Sequence, residues 1–321
     1  MQLFIITLFA AGVLVAAAIP GYLLVKSRIL PEHSIKDFSK ILIYITQPCL
    51  AIYTFQSTEY SVEKLISLGV FALISLLLQC LMLAGAYLVL RHKYENPLYR
   101  ILTVATTMGN CAFFGIPVLE ALFPSVSGDI MVYTTVYALS MNVIGWTVGS
   151  AIISGDSRYV SFKKVMINPA LIGTAVALLL FVTRIPLTFT LPGTDSEFTL
   201  LFDIIVAGAR MATPLSMLIM GMRLGTMRIG SLFVDPRVYI TILVKQMLMP
   251  FVAFLMMLAL PLDGMVEKTF FVISACPVAS VVLNYSELVG QGQKEAANTV
   301  LLGTMGSVIT LPVMALLINF I

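Results

Sequence analysis

Apolar residues run in stretches of about 20 along the whole chain, separated by short polar connections. Ten stretches are long enough to cross the ~30 Å hydrocarbon core of a bilayer as helices. They are residues 3–25, 37–56, 65–90, 98–123, 130–153, 165–183, 199–222, 237–260, 266–290 and 296–321. The first has no basic leading region and no small-residue cleavage site, so a retained helix is expected rather than a signal peptide. The seventh is the least regular, because Asp203 and Arg210 interrupt it. The connections are too short for a separate soluble domain.

Composition agrees with this pattern. Of 321 residues, 59% are hydrophobic and only 11% charged, and the mean hydropathy is +1.00. A soluble domain of this size has too little interior to hide so much apolar surface. The expected fold class is an all-α membrane protein with ten transmembrane helices and the lipid bilayer as its partner. The net charge of +3 does not point to nucleic acid, because the basic residues lie in interhelical loops. Fourteen of the 19 Lys and Arg fall on the side that includes loop 26–36. Three (Lys64, Arg184 and Lys268) fall on the other side, and Arg210 and Lys245 lie within the membrane. Positive-inside bias then places the first loop in the cytoplasm and both termini outside. Cys49, Cys80, Cys111 and Cys276 all sit in apolar segments without CxxC spacing and read as small reduced hydrophobes. His33 and His92 lie in loops, which argues against a haem or zinc site in the membrane.

Two segments are broken inside the membrane. Asn110-Cys-Ala-Phe-Phe-Gly115-Ile-Pro117 interrupts the fourth, and Ala275-Cys276-Pro277, followed by Asn284, interrupts the ninth. Such breaks free backbone groups that hydrocarbon cannot satisfy, so they belong beside protein or a water-filled cavity. A shift of 167 residues places Gln79 on Gln246 and Glu120 on Glu287; a shift of 166 places Pro20 on Pro186 and Pro48 on Pro214. Each half holds five segments, an odd number, so two copies must face opposite ways. The expected architecture is two inverted five-helix repeats, 1–153 and 165–321, joined by a cytoplasmic link at 154–164, with segments 4 and 9 broken and crossing. Paired broken helices in an inverted repeat are where secondary transporters place their substrate.

The run Gly109-Asn110-Cys-Ala-Phe-Phe-Gly115-Ile-Pro117 resembles the auxin efflux carrier family of membrane transport proteins. Asn168-Pro169, Pro214-Leu-Ser-Met-Leu-Ile-Met-Gly221 and Thr304-Met-Gly-Ser307-Val-Ile-Thr310-Leu-Pro312 resemble it too. The resemblance implies a fold similar to the bile-acid/sodium symporters and the transport of organic anions such as auxin, malate or malonate. It also implies a scaffold of segments 1, 2, 6 and 7, a moving domain of 3–5 and 8–10, and a homodimer through the scaffold. The chain departs from the long plant carriers in two ways. It has no long central hydrophilic loop, and it lacks their Asn-Pro-x-Thr type signature at the first crossing, so auxin itself is not the expected substrate.

The candidate residues follow from the breaks. Pro is favoured at the first position of a helix, so Pro117 and Pro277 are expected to open half-helices whose positive ends favour an anion. An ordinary proline kink is the plainer alternative. Asn110 and Asn284 can donate and accept around a carboxylate or an ion, or simply bond across helices. Glu120, Glu287 and Asp203 are candidates for holding sodium or a proton, with a sodium site near Asn110 and Glu287; the two glutamates, near segment ends, need no function. Asp203, Arg210 and Lys245 carry charge within the membrane and should be buried, paired or functional. Lys245 is the first-choice base for a substrate carboxylate and Arg210 the second, each with a structural ion pair or snorkelling as its alternative. Gln79 and its repeat mate Gln246 are further candidates for substrate binding, as is Gln47, which the resemblance implies would face the crossing from the static side. Asn142, Gly303, Thr304, Gly306 and Ser307 are candidates for the cavity wall, although small residues more often serve packing. Tyrosines and the single Trp are expected as interface anchors.

The sequence therefore predicts a secondary active carrier of a small organic anion, working by alternating access in a bacterial inner membrane. No cofactor is expected beyond a coupled Na+ or H+. A membrane receptor that binds the anion without moving it is the main alternative. An enzyme is not expected, since no His-Glu-x-x-His, Gly-x-Ser-x-Gly or phosphate-binding Gly-x-x-x-x-Gly-Lys-Ser/Thr motif is present.

Overall fold

A computed structural model describes residues 1–156, 168–190, 197–227, 235–260 and 262–321. Seven of its helices are long and apolar enough to cross a membrane. They are α1 (Gln2–Lys26), α2 (Ser34–Gln56), α3 (Val62–Lys93), α6 (Gly128–Ser154), α8 (Leu200–Thr226), α9 (Pro236–Met257) and α12 (Gln293–Phe320). The other three predicted segments hold shorter helices. The fourth is divided into α4 (Pro97–Ala105) and α5 (Cys111–Leu122). The ninth is divided into α10 (Gly264–Ser274) and α11 (Val281–Val289), and the sixth is α7 (Pro169–Thr183). Most of the predicted link, with Arg158, Lys163 and Lys164, lies outside the described residues, as does Arg228. The all-α expectation misses one small feature, an antiparallel pairing of Phe189–Thr190 with Glu197–Phe198 between α7 and α8.

Helix starts are written locally. Asn96, Asn168 and Asp235 each precede a proline, and each side-chain oxygen accepts the backbone N–H two residues on. The cap satisfies an orphan donor, while proline takes a position where its missing N–H costs nothing. Wide π-type turns at Leu42–Thr46, Cys111–Gly115 and Val244–Leu248 each end two residues before a proline: Pro48, Pro117 or Pro250. A proline inside a helix removes one ladder bond and crowds the preceding turn, and widening that turn relieves both.

Packing falls into two groups. The second half of α1 lies along α8, and α2 lies along α7 and the first half of α8. In the other group α3 packs on α6, and α12 on α9 and α11. The first half of α1 bridges the groups through α12 and α5. The largest apolar core gathers Phe55, Phe71, Phe114, Tyr137, Phe270 and Phe271. A shift of 167 residues carries the start of α4 to the start of α10, and the end of α5 to the end of α11.

Candidate functional site

Between α4 and α5, and between α10 and α11, the chain leaves the helix and runs extended. The two extended pieces cross. Gly109 pairs antiparallel with Val278. The Asn110 N–H donates to the Pro277 carbonyl at 2.7 Å, and the Ala279 N–H to the Met108 carbonyl at 3.0 Å. Each break thus satisfies backbone groups that the other has freed, as an apolar surrounding demands.

This geometry corrects the expectation for the two prolines. Pro117 lies inside α5, which already begins at Cys111, directly after Asn110. Pro277 lies in the crossing strand, four residues before α11 begins. Neither opens its half-helix, because extended residues make the break and the helices restart without them. The N–H groups of Asn110 and Ala279 at the break are held by carbonyls.

Lys245 reaches the crossing from α9 and is fully buried. Its Nζ donates to the carbonyls of Ser274, at 2.7 Å, and Cys276, at 2.9 Å. The Ser274 carbonyl ends α10, where a helix leaves acceptors unpaired and carries partial negative charge, and the Cys276 carbonyl lies just beyond it. A Cβ added to Gly109 would lie 3.0 Å from that Nζ, so the glycine makes room for the ammonium. Lys245 pins the end of α10 from behind the crossing and is not part of the cavity wall.

A cavity opens from the crossing toward the end of the protein that carries most basic loops. Its empty volume, mouth included, is about 1120 Å³. Asn110 and Asn284 line it from the two crossed segments, Gln47 from α2, Asn142 and Trp146 from α6, Arg223 from α8 and Thr304 from α12. The Arg223 guanidinium donates from Nη1 to Glu287 Oε1 of α11 at 2.7 Å. Thus Asn110, Asn284 and Gln47, singled out in the sequence, meet at one cavity, and Glu287 stands against its basic wall residue.

The remaining candidates lie elsewhere. Gln79 and Gln246 are fully buried. The Gln79 amide donates to the Tyr137 carbonyl at 3.5 Å, and the Gln246 amide to the Gly303 carbonyl at 2.6 Å. Thr310 also donates to the Gln246 oxygen. Both glutamines hold helices together beside the crossing and do not face the cavity. Asp203 is exposed and accepts from the Thr199 hydroxyl at 2.7 Å, an arrangement local to the start of α8. Arg210 is exposed, and Glu120 is close enough to feel its charge.

Two wall residues were read differently in the sequence. Arg223 was assigned to a loop, because the seventh segment was ended at residue 222; α8 continues to Thr226. Ser216, Met220 and Arg223 fall at helical spacing on one face, a signal already present in the sequence. Trp146 was expected at an interface, yet it lines the cavity edge-on to Tyr285, with ring centroids 5.0 Å apart.

A family model described as membrane transport protein matches the chain in two successive stretches, residues 6–164 and 156–315. No curated protein matches the chain.

Proposed function

The chain belongs to the membrane transport protein family, and on that premise we propose that it is a secondary active carrier of a small organic anion. One observation carries the reading. Two broken helices cross beside a cavity, and each contributes an asparagine, Asn110 and Asn284, to its wall. Carboxamide N–H groups donate to a carboxylate, and the starts of α5 and α11 bring positive dipole ends to the same place. The substrate class proposed is a carboxylate such as malate, malonate or an auxin-like acid.

The packing supports alternating access. The group of α1, α2, α7 and α8 serves as scaffold, and α3–α6 with α9–α12 moves against it. The full reading has ten membrane segments in two inverted repeats, with α4/α5 and α10/α11 each counted as one. The 167-residue correspondence between α4/α5 and α10/α11 supports it. The cavity lies toward the basic loops, which supports reading this as the state open to the cytoplasm, with the large aromatic core at the other end. Sodium or proton coupling through Glu120 or Glu287, a homodimer through the scaffold, a bacterial inner membrane and external termini complete the proposal.

The test is Asn110→Ala. The variant is expected to fold and to lose uptake of the anion that the unmodified protein carries. Unchanged uptake by folded Asn110→Ala protein would remove the crossing from the binding site.

A further inference from the structure

Among the described residues, Arg223 is the basic side chain of the cavity wall, and its setting is asymmetric. Its side chain is only 16% exposed, whereas that of Glu287 is 45% exposed. Arg223 Nε is buried and has no protein hydrogen-bond partner. The ion pair recorded uses Nη1 alone, so the guanidinium offers more than Glu287 takes. A guanidinium presents donors in a planar fork suited to two-point grip of a carboxylate. The arginine is therefore the fixed member of the pair, and the glutamate is the one able to swing into water once another carboxylate takes its place.

The two residues also belong to different packing groups. Arg223 is on α8, along α1; Glu287 is on α11, which packs on α12. Asn284 lies three residues before Glu287, on the same face of α11, and also lines the cavity. We propose that Arg223 is the carboxylate-binding base of the cavity and that Glu287 holds its place in the empty protein. The arriving anion exchanges with Glu287, and that exchange releases α11 from α8. This inference rests on the carrier reading above.

The exchange keeps Arg223 paired throughout. Arg223 is paired with a carboxylate before and after, so the cavity never holds a bare cation in a low-dielectric setting. It also ties motion to occupancy, because the bridge between the two groups opens only when another carboxylate satisfies the arginine.

The experiment uses the full chain in lipid, with spin labels at the exposed positions Thr226 and Gln293. Distances are measured in the parent, in Glu287→Gln and in the charge swap Arg223→Glu/Glu287→Arg. Binding of radiolabelled malonate is measured in parallel on unlabelled protein. Glu287→Gln is expected to add a longer-distance population and to bind malonate about tenfold or more tightly than the parent, a gain of ~1.4 kcal/mol. The charge swap is expected to restore the short distance. Arg223→Gln is expected to lose binding, and Arg223→Lys, which keeps the charge but not the fork, to recover part of it. An unchanged distance in Glu287→Gln would overturn the proposal. So would equal binding by Arg223→Gln and parent, or no binding even in Glu287→Gln, where the guanidinium stands unpaired in an open cavity. The carrier reading fails by a separate result, malonate bound by the parent with no anion of any kind moved.

Discussion

Replacing Gly221 by alanine would place a Cβ 1.8 Å from the Ala18 carbonyl oxygen and 2.7 Å from its carbon. The approach is reciprocal, since a Cβ on Gly21 would lie 2.0 Å from the Leu218 carbonyl oxygen. Here α1 and α8 touch backbone to backbone, and no flexible side chain can give way. To reach an ordinary contact of ~3.5 Å, α8 would have to retreat by ~1.5 Å. Overpacking of this kind costs about 1–3 kcal/mol, sometimes more. Alanine in a helix returns only ~0.5–1 kcal/mol over glycine, so a net loss of about 1–2 kcal/mol is expected. Residue 223 lies ~200° around the helix from 221, so the retreat also drives Arg223 toward α11. The assay is thermal unfolding in detergent, followed by loss of the monodisperse species, with Gly12→Ala as the control. A Cβ on Gly12 meets nothing within 4 Å. Gly221→Ala is expected to melt about 2–4 °C below the parent, and Gly12→Ala at or above it. Equal melting of the two variants would refute the close-contact argument.

Three further outcomes are expected. Gly145→Ala places a Cβ 2.2 Å from the Tyr285 hydroxyl and should cost about 1–3 kcal/mol; adding Tyr285→Ala should recover part of that loss, and strict additivity in a double-mutant cycle would contradict the contact. Lys245→Met strips the Ser274 and Cys276 carbonyls of their donor, at about 1–3 kcal/mol each, but removes a charge worth about 2.5–3.5 kcal/mol in insertion cost. Melting should therefore change little while uptake falls steeply, and normal uptake would show that the crossing needs no pin. At the start of α9 a hydrogen bond from Arg237 holds the Asp235 carboxyl below its ordinary value of 3.8. Its contribution is thus present above that value and lost as pH falls through the lowered one. Asp235→Ala should cost about 0.5–2 kcal/mol at neutral pH, with the gap from the parent closing in acid, as melting curves across pH will show.

Most of the helical layout was legible, because about 20 apolar residues between polar loops admit few structures in a bilayer. The two breaks were legible for the same reason, since Gly and Pro in such runs require other partners. Their internal geometry was not. Nothing local says that Asn110 N–H will find the carbonyl of Pro277, 167 residues away in the chain, or that Pro117 will sit inside α5 rather than at its start. Long-range pairing decided both. Lys245 shows the limit from another side. A buried lysine invites a ligand, but the carbonyl ends of α10 supply its partners, and which helix end lies opposite is a fact of packing. A segment boundary at residue 222, a few residues short of the end of α8, puts Arg223 in a loop and hides a wall residue.

The most direct test of the carrier is flux in liposomes that contain only this protein. Labelled malate, malonate, pyruvate and indole-acetate would each be offered under a sodium gradient, a pH gradient or an imposed voltage alone. The account predicts saturable accumulation of at least one of these anions, driven by one of the gradients and absent with Asn110→Ala. Bound anion without accumulation under any gradient would contradict it and make the protein a receptor.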